Sequence, residues 1–516
     1  MAGCSSSARP RLALLLGTLV AACGHEPGPR PRLVLLYAPC TVRKDFLAPY
    51  DAHVHSTPAL AAFARQSAVF GAHVTETAQS GVAFASLLTG THADRHGVYF
   101  HPAPLAEDNV TLAEAFGAAG YTTWFWSGQP MASATLGYGQ GVAPEHVLER
   151  ELRFQPDPQP LAPGTLERMA ADDDEFRALL ADLAAHPDQH AFVQVCFTVS
   201  HEPYHQYVSP AEIAAFAARF PDEARGVTPA EIERWLPVYE QHRHRLNWDF
   251  PAARAELALG DEDLERLAAV IEVAYRASLA QLDGFFGDVL SAIDAAGLAD
   301  EALVAFTSDH GELLWRANAL FPWTHGMELA PEELYVPWLV RAPGLAPQAY
   351  ASVTRSIDVF PTLLGLCRLP VPPTVVGTDL APALRGEERA PERQAFSHNS
   401  TLGERRLERF ADMDVLERVM PAPDPARLWT SVRAGPLFLR RQRVDPDGWR
   451  MVAYDHARDP GELHDVFDPK DAIQAALAAE LERYQSRLVQ AYGRERGGEL
   501  DEEAALERLR ALGYVR

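Results

Sequence analysis

Short apolar runs with the character of buried strands alternate with helical segments along the first three quarters of this 516-residue chain. Continuous apolar runs at 32–38, 191–199 and 304–308 are separated by segments with the apolar spacing of amphipathic helices, of which 267–296 is the longest. Strands without a polar face belong to parallel sheets that helices cover on both sides. The alternation therefore predicts an α/β fold built on a mainly parallel sheet.

One long segment inside this region departs from the alternation. Residues 209–261 are rich in Ala, Glu, Arg and Trp and contain no strand-like run. We interpret them as a helical insertion in a main domain that covers residues 33–385.

The pattern of predicted elements changes again after residue 385. Two short strand-like runs, 429–432 and 436–440, precede a polar helical segment at 475–492. This order of elements predicts a smaller α+β subdomain, which we assign to residues 386–516.

The amino terminus has the pattern of an export signal. Two arginines precede the apolar run 12–22, which is too short to span a bilayer, and the run ends in Val20-Ala21-Ala22-Cys23. Small residues before a cysteine resemble the lipobox of bacterial lipoproteins. We therefore predict a signal over 1–23, a lipidated Cys23 and a Pro/Gly-rich tether over 24–32; a plain secretion signal and a short anchor are the alternatives. An exported protein, lipid-anchored in the cell envelope on its periplasmic side or at the surface, is expected.

Charge and cysteine content restrict the partners. The 46 Lys and Arg residues are outnumbered by 70 Asp and Glu residues, which gives a formal net charge of −24. Such a charge repels nucleic acid and anionic membranes, so we expect no nucleic-acid partner and membrane contact only through the lipid. Cys196 and Cys367 lie in apolar runs and are predicted to be buried thiols rather than parts of a disulfide framework.

The run at 304–308 ends in Asp309, His310 and Gly311. Ligands of open α/β sheets bind outside the carboxyl ends of the strands, so this junction is a natural place for chemistry. A carboxylate and an imidazole side by side are suitable ligands for a cation, and the glycine lets the backbone turn away.

This segment is one of several polar segments, most of them at the ends of predicted strands, that occur in a recognisable order. They are Cys40-Thr41-Val42-Arg43, Ser80-Gly81-Val82-Ala83-Phe84 running into Leu87-Leu88-Thr89-Gly90 as a loop feeding a helix, Ser200-His201-Glu202-Pro203-Tyr204, Asp309-His310-Gly311-Glu312, and His325-Gly326. This order resembles the sulfatase family of the alkaline-phosphatase-like superfamily. Asp358-Val359-Phe360-Pro361-Thr362-Leu363-Leu364 and the carboxy-terminal Leu512-Gly513-Tyr514 are similar to further motifs of its bacterial members.

The resemblance implies an alkaline-phosphatase-like α/β fold and a divalent metal ion, usually calcium in sulfatases. It implies that Asp309 and His310 bind the metal. It also implies that His201 and His325 contact the sulfate group or protonate the leaving oxygen, and that Arg43 adds positive charge to the pocket.

The nucleophile segment departs from the family pattern. Ser80 stands at the position of the family's Cys or Ser, but Val82 and Phe84 replace the proline and arginine of the C/S-x-P-x-R recognition sequence. Oxidation of Ser80 to formylglycine is therefore not expected. An unmodified Ser80 acting as a hydroxyl nucleophile beside a metal is one interpretation, and a polar turn residue is the other.

Two further departures change the expected donors and charges. Cys40 stands where members of the family usually place a metal-binding aspartate, and Gln129 where they often carry a lysine. A thiol is a soft ligand, so either the bound ion is a softer one such as zinc, or the site holds its ion poorly or not at all, or Asp45 or another carboxylate compensates. Because Cys40 closes a strand and is expected to be buried, we favour a weakened site.

These observations lead to one expected function and two alternatives. We expect a metal-dependent sulfuric ester hydrolase that acts on a small-molecule or glycan sulfate ester. A catalytically impaired, sulfatase-like binding protein and a phosphoester hydrolase that uses unmodified Ser80 are the alternatives.

Overall fold

The computed structural model describes residues 30–100, 102–149, 174–204, 208–316, 319, 321–399, 428–443 and 448–492. Cys23 and the predicted signal lie outside these residues, as does most of the predicted tether.

The described chain contains twelve β-strands and thirteen α-helices. The strands are β1 Leu33–Pro39, β2 Ala68–Val74, β3 Thr122–Ser127, β4 Val147–Glu149, β5 Ala191–Phe197, β6 Ala302–Thr307, β7 Trp338–Arg341, β8 Gln348–Arg355, β9 Gln394–His398, β10 Thr430–Ala434, β11 Leu437–Arg443 and β12 Trp449–Asp455. The helices are α1 Pro58–Ala64, α2 Ser80–Thr89, α3 Ala93–His96, α4 Leu112–Ala118, α5 Asp174–Ala185, α6 Pro210–Arg219, α7 Pro229–Trp248, α8 Phe250–Glu256, α9 Asp261–Ala295, α10 Pro331–Leu334, α11 Val359–Leu366, α12 Ala381–Leu384 and α13 Ala472–Ala491.

The first eight strands form one sheet in the order β4-β3-β5-β1-β6-β7-β2-β8. β1 lies inside it and pairs in parallel with β5 and β6. Only β7 among these described strands runs against its neighbours, β6 and β2. The predicted mainly parallel sheet is therefore confirmed, and the carboxyl ends of β1, β3, β5 and β6 meet at one edge.

Side chains of β1 alternate between two hydrophobic cores. Leu33, Leu35 and Tyr37 join the core that packs against α9. Val34 and Leu36 join the core that contains α2, α4 and α11. Helices thus cover both faces of the sheet, which explains why the strand is apolar along its whole length.

The segment predicted as a helical insertion contains α6, α7 and α8. Two of these helices begin at capping boxes in which Ser209 pairs with Glu212 and Thr228 with Glu231. Each box satisfies free backbone amides at the start of the helix and is followed by proline at the first helical position. Local sequence therefore fixes where these helices begin, and contacts with α9 hold them on the main domain.

The carboxy-terminal part forms an antiparallel sheet in the order β12-β11-β10-β9, with α13 packed against it. Leu477, Leu481 and Tyr484 of α13 belong to the same core as Val82 and Leu88 of α2. The two sheets therefore share a continuous hydrophobic core. Among the described residues, no helix has the length and apolar character needed to cross a membrane.

Candidate active site

Four strands of the main sheet end at one polar cluster. Cys40 follows β1, Gln129 follows β3, His201 follows β5, and Asp309 and His310 follow β6. Parallel strands bring these side chains to the same edge of the sheet. All five are buried.

Ser80 reaches the cluster from a helix rather than from the end of a strand. The sequence predicted a loop at this position, but Ser80 is the first residue of α2. That prediction is wrong because residues 80–89 are all buried and pack as a helix against the core. The start of a helix carries free backbone amides and a partial positive charge, which favours an anionic group at Ser80.

Three side chains surround the Ser80 hydroxyl. Its Oγ lies 3.2 Å from His310 Nε2 and 3.3 Å from Cys40 Sγ. The Gln129 amide donates to Ser80 Oγ at 3.1 Å and to Cys40 Sγ at 3.2 Å. Cys40 Sγ and His310 Nε2 are 3.8 Å apart. The thiol, the hydroxyl and the imidazole nitrogen therefore converge on one small volume.

Backbone contacts fix the orientation of Asp309 and His310. Asp309 Oδ1 accepts from the amides of Thr41 at 3.1 Å and of His310 at 2.7 Å, while Oδ2 lies 3.4 Å from His310 Nε2. His310 Nδ1 donates to the carbonyl of Gly311 at 2.8 Å, which leaves the lone pair of Nε2 directed at the cluster. A Cβ on Gly311 would lie 2.0 Å from the carbonyl oxygen of Glu332, so only glycine fits this turn.

Burial keeps the thiol and the imidazole uncharged. Burial and the nearby Asp309 raise the pKa of the Cys40 thiol well above its ordinary value. Burial also lowers the pKa of His310. A thiolate at this position therefore requires a cation to stabilise it. The carboxylate, thiol and imidazole form the group of possible metal ligands in the described residues, with their donor atoms within 4.8 Å of one another.

His201 and His325 lie beside this cluster. Their ring centroids are 5.0 Å apart, and the His325 ring is 4.5 Å from that of His310. Burial lowers the pKa of His201 to about 3 and that of His325 to about 4. Both rings are therefore neutral at neutral pH. The structure brings together these two histidines, Ser80 and the predicted metal ligands.

Arg43 lies beside the cluster, where its Nη1 donates to the backbone carbonyl of Glu312 at 3.4 Å. Its guanidinium forms two contacts with Asp45, at 2.6 and 3.0 Å, and stacks over the ring of Phe46. This ion pair also occupies Asp45, which therefore does not supply the missing carboxylate near Cys40. Phe84 is fully buried in the core. No Lys or Arg is among the described hydrogen-bond partners of Ser80 and Cys40.

Three residues of the site were not assigned a role from the sequence. In the sequence, Gln129 indicates only that the family's lysine is missing. In the structure, its side-chain amide bridges Cys40 and Ser80. Glu312 contacts His325 Nδ1 at 3.2 Å, and burial raises its pKa to about 8. Glu202 accepts hydrogen bonds from side chains of α7 in the helical insertion. The position of Glu312 directly after the Asp-His-Gly turn was a usable signal, whereas the contacts of Gln129 and Glu202 arise only from tertiary folding.

A protein-family comparison agrees with this arrangement. The sequence model of the Sulfatase family matches residues 41–369 of this chain. The chain belongs to the sulfatase family. The mixed α/β architecture and the resemblance inferred from the motifs are therefore confirmed, and the family generally uses a divalent metal.

Two sulfatases are similar to about two thirds of this chain. The chain is 24% identical over 372 residues to an ulvan-active sulfatase of Formosa agariphila, which is 66% of this chain and 63% of that protein. It is 25% identical over 368 residues to a choline-sulfatase of Rhizobium meliloti, covering 64% and 67% of the two chains. The match thus spans less than two thirds of the length of the ulvan-active relative.

Solved structures show the same fold. A phosphonate monoester hydrolase of Agrobacterium radiobacter aligns with a TM-score of 0.58 at 22% identity, over 90% of this chain and 96% of that one. A protein in complex with its substrate D-glucosamine-2-N,6-O-disulfate aligns with a TM-score of 0.62 at 17% identity, over 90% and 99%.

Proposed function

We propose that this sulfatase-family chain hydrolyses a sulfate ester with unmodified Ser80 as the nucleophile and a divalent cation bound by Cys40, Asp309 and His310. The observation that carries the proposal is the position of Ser80 Oγ, 3.2 Å from His310 Nε2 and 3.1 Å from Gln129 Nε2 at the start of α2. A hydroxyl held between a donor and cation ligands is arranged to act as an alkoxide.

The chain's own residues orient the reactants. Gln129 holds Ser80 Oγ by its amide, and the start of α2 favours negative charge on that oxygen. Attack of this oxygen on sulfur breaks the bond between sulfur and the leaving oxygen, which takes up the proton given up by the Ser80 hydroxyl. Attack of water on the same sulfur then breaks its bond to Ser80 Oγ, returns one water proton to that oxygen and releases sulfate. His201 and His325 are the groups we assign to the ester oxygens. The cation, when bound, supplies positive charge that lowers the pKa of the Ser80 hydroxyl and offsets charge on the ester.

The donor set does not fit calcium. Calcium takes six to eight oxygen ligands, whereas this cluster offers a sulfur, a nitrogen and a carboxylate oxygen. It fits zinc, which binds thiolate, imidazole and carboxylate in a tetrahedron. Four donors at zinc bond lengths of about 2.0–2.3 Å lie roughly 3.3–3.8 Å apart.

The observed separations support the choice of zinc. Ser80 Oγ lies 3.3 Å from Cys40 Sγ and 3.2 Å from His310 Nε2. His310 Nε2 lies 3.4 Å from Asp309 Oδ2 and 3.8 Å from Cys40 Sγ. These four distances match four of the six edges expected for zinc with Ser80 as a fourth donor, and the Asp309, Cys40 and His310 donors all lie within 4.8 Å of one another.

The relatives support the substrate class. An ulvan-active sulfatase and a choline-sulfatase are among them, so a glycan or small-molecule sulfate ester is the substrate we propose. The second candidate is a phosphate or phosphonate ester, because Ser80 is unmodified and a phosphonate monoester hydrolase has the same fold. An impaired binding protein is the third, because Phe84 is buried where the family carries an arginine.

Hydrolysis of aryl sulfate and aryl phosphate esters by the purified protein tests the proposal. Loss of turnover in Ser80→Ala, with no loss in the exposed control Ser291→Ala, is the expected result. Equal rates in Ser80→Ala and wild type would remove Ser80 from the mechanism. Faster turnover of the phosphate ester would favour the second candidate, and binding of a sulfate ester without turnover the third.

We also propose that the chain is exported and tethered to the membrane through lipid on Cys23. The support is the sequence pattern of residues 1–23 alone. Cys23→Ala is expected to move the protein from the membrane fraction to the soluble fraction. A variant that still fractionates with membranes would exclude lipidation as the anchor.

A further inference from the structure

Three side chains of α7 point at one buried carboxyl group. Tyr239, Arg243 and Asn247 are spaced by four residues, which places them on one face of the helix. Tyr239 Oη donates to Glu202 Oε2 at 3.3 Å, and Asn247 Nδ2 donates to the same oxygen at 2.6 Å. Arg243 Nη1 lies 3.9 Å from Glu202 Oε1. The helical insertion is therefore attached to Glu202 by three polar contacts.

Glu202 is also joined to a histidine of the site. It follows His201 directly, and its backbone carbonyl accepts a hydrogen bond from His201 Nδ1 at 2.6 Å. Both residues are buried. The side chain of Glu202 thus faces the insertion while its backbone fixes the ring of His201.

We propose that Glu202 is a positioning residue that latches α7 of the helical insertion onto the turn carrying His201, so that docking of α7 sets the orientation of the His201 ring. The catalytic consequence rests on the proposed function, whereas the latch itself does not.

The charge state of Glu202 gives the latch a pH dependence. Burial raises the pKa of Glu202 to about 7; Glu312 also raises it, while Arg243, Asn247 and Tyr239 lower it. Tyr204 and His201 are further titratable groups beside it. Withdrawal of α7 would expose the carboxyl to water and return its pKa towards the ordinary value. Because docking raises the pKa, protonation favours the docked helix and a rise in pH through the folded-state pKa weakens docking.

Hydrogen exchange of residues 229–248, corrected for intrinsic rates, tests the latch in the full-length protein. The measurement compares wild type, Glu202→Gln and Glu202→Ala at about pH 6 and about pH 8. Glu233→Gln, an exposed change on the same helix, is the matched control. Wild type and the control are expected to exchange faster at the higher pH. The Gln variant, a neutral isostere, should stay protected at both, and the Ala variant should exchange rapidly at both.

An Ala variant that exchanges like wild type would overturn the latch. A Gln variant with the full pH dependence of wild type would overturn Glu202 as the group whose protonation favours the docked helix, and this outcome can be read even if the Ala variant fails to fold. As a second readout, kcat of the Ala variant should fall by about tenfold relative to the Gln variant while KM stays within about twofold. A wild-type protein that turns over no ester would overturn the proposed function alone, because exchange of α7 is measured without catalysis.

Discussion

Gln129 and Ser80 are hydrogen-bonded across the active-site cluster, with Gln129 Nε2 donating to Ser80 Oγ at 3.1 Å. The same amide group contacts Cys40 Sγ at 3.2 Å, and its oxygen accepts from the amide of Met131 at 3.1 Å. The backbone contact fixes which end of the amide faces the cluster. Gln129 therefore supplies a neutral donor to both the hydroxyl and the thiol, the two atoms that the proposed mechanism makes anionic.

Replacing Gln129 by leucine removes this donor at nearly constant volume. We expect kcat to fall by roughly 10²-fold, as for the loss of one fixed donor to a developing anion. Gln189→Leu, at an exposed position, is the control. Unchanged kcat in Gln129→Leu would show that the amide only fills space.

Cys40 is predicted to decide which cation binds. Cys40→Asp replaces a soft ligand with a hard one, so zinc affinity should fall by about 10- to 100-fold and calcium affinity should rise. Cys196→Ser, which alters a buried thiol outside the ligand group, is the control. Metal content after equilibration with both ions and calorimetric titration measure the change without any substrate. Equal zinc content in Cys40→Asp and wild type would exclude the thiolate as a ligand.

The sequence predicts β1, β5 and β6 of the main sheet well because these strands are buried along their whole length and are almost entirely apolar. It misses β8, an edge strand that mixes buried, partly exposed and exposed residues without a regular pattern, since such a segment resembles an ordinary surface segment. It also misses β2, which is interrupted by the exposed Gly71. Such strands are recognised by their partners in the sheet rather than by their own composition.

The same distinction applies to the site. Asp309, His310, Cys40 and His201 lie just after the ends of strands, so their order along the chain predicts that they meet, whereas His325 lies in the connection between β6 and β7. The bridging role of Gln129 depends on its side-chain contacts after folding. The pairing of Arg43 with Asp45 likewise depends on side-chain geometry after folding. Without that geometry, the family resemblance places the positive charge of Arg43 in the pocket.

Glu76, a buried carboxylate four residues before the start of α2, is predicted to control how the free energy of unfolding changes at low pH. Glu76 contacts His92 Nδ1 at 3.0 Å and accepts from Tyr484 Oη at 2.8 Å, and His92, His398 and His96 hold its pKa well below the ordinary value. A carboxyl with a depressed folded-state pKa adds stability above its unfolded-state pKa, and this stability is lost as pH falls. Glu76→Gln should therefore lower the free energy of unfolding by about 3 kcal/mol at neutral pH and by less at acid pH.

Denaturant titrations at several pH values measure this difference. Glu107→Gln, at an exposed position, is the matched control and should leave the unfolding curve unchanged at every pH. A deficit in Glu76→Gln that is the same at acid and neutral pH would contradict an origin in the ionised carboxylate.

Phe84 is predicted to be essential for packing, so restoring the family's arginine should not restore a sulfate pocket. Its ring is fully buried in the core that α2 shares with α11. An arginine there would carry an unpaired buried charge, which should cost about 3–5 kcal/mol of unfolding free energy. Phe84→Leu keeps an apolar side chain and should cost only about 1 kcal/mol. Thermal or denaturant unfolding of the two variants measures the contrast, and a stable Phe84→Arg protein with faster sulfate ester turnover would show that this position opens onto the active site.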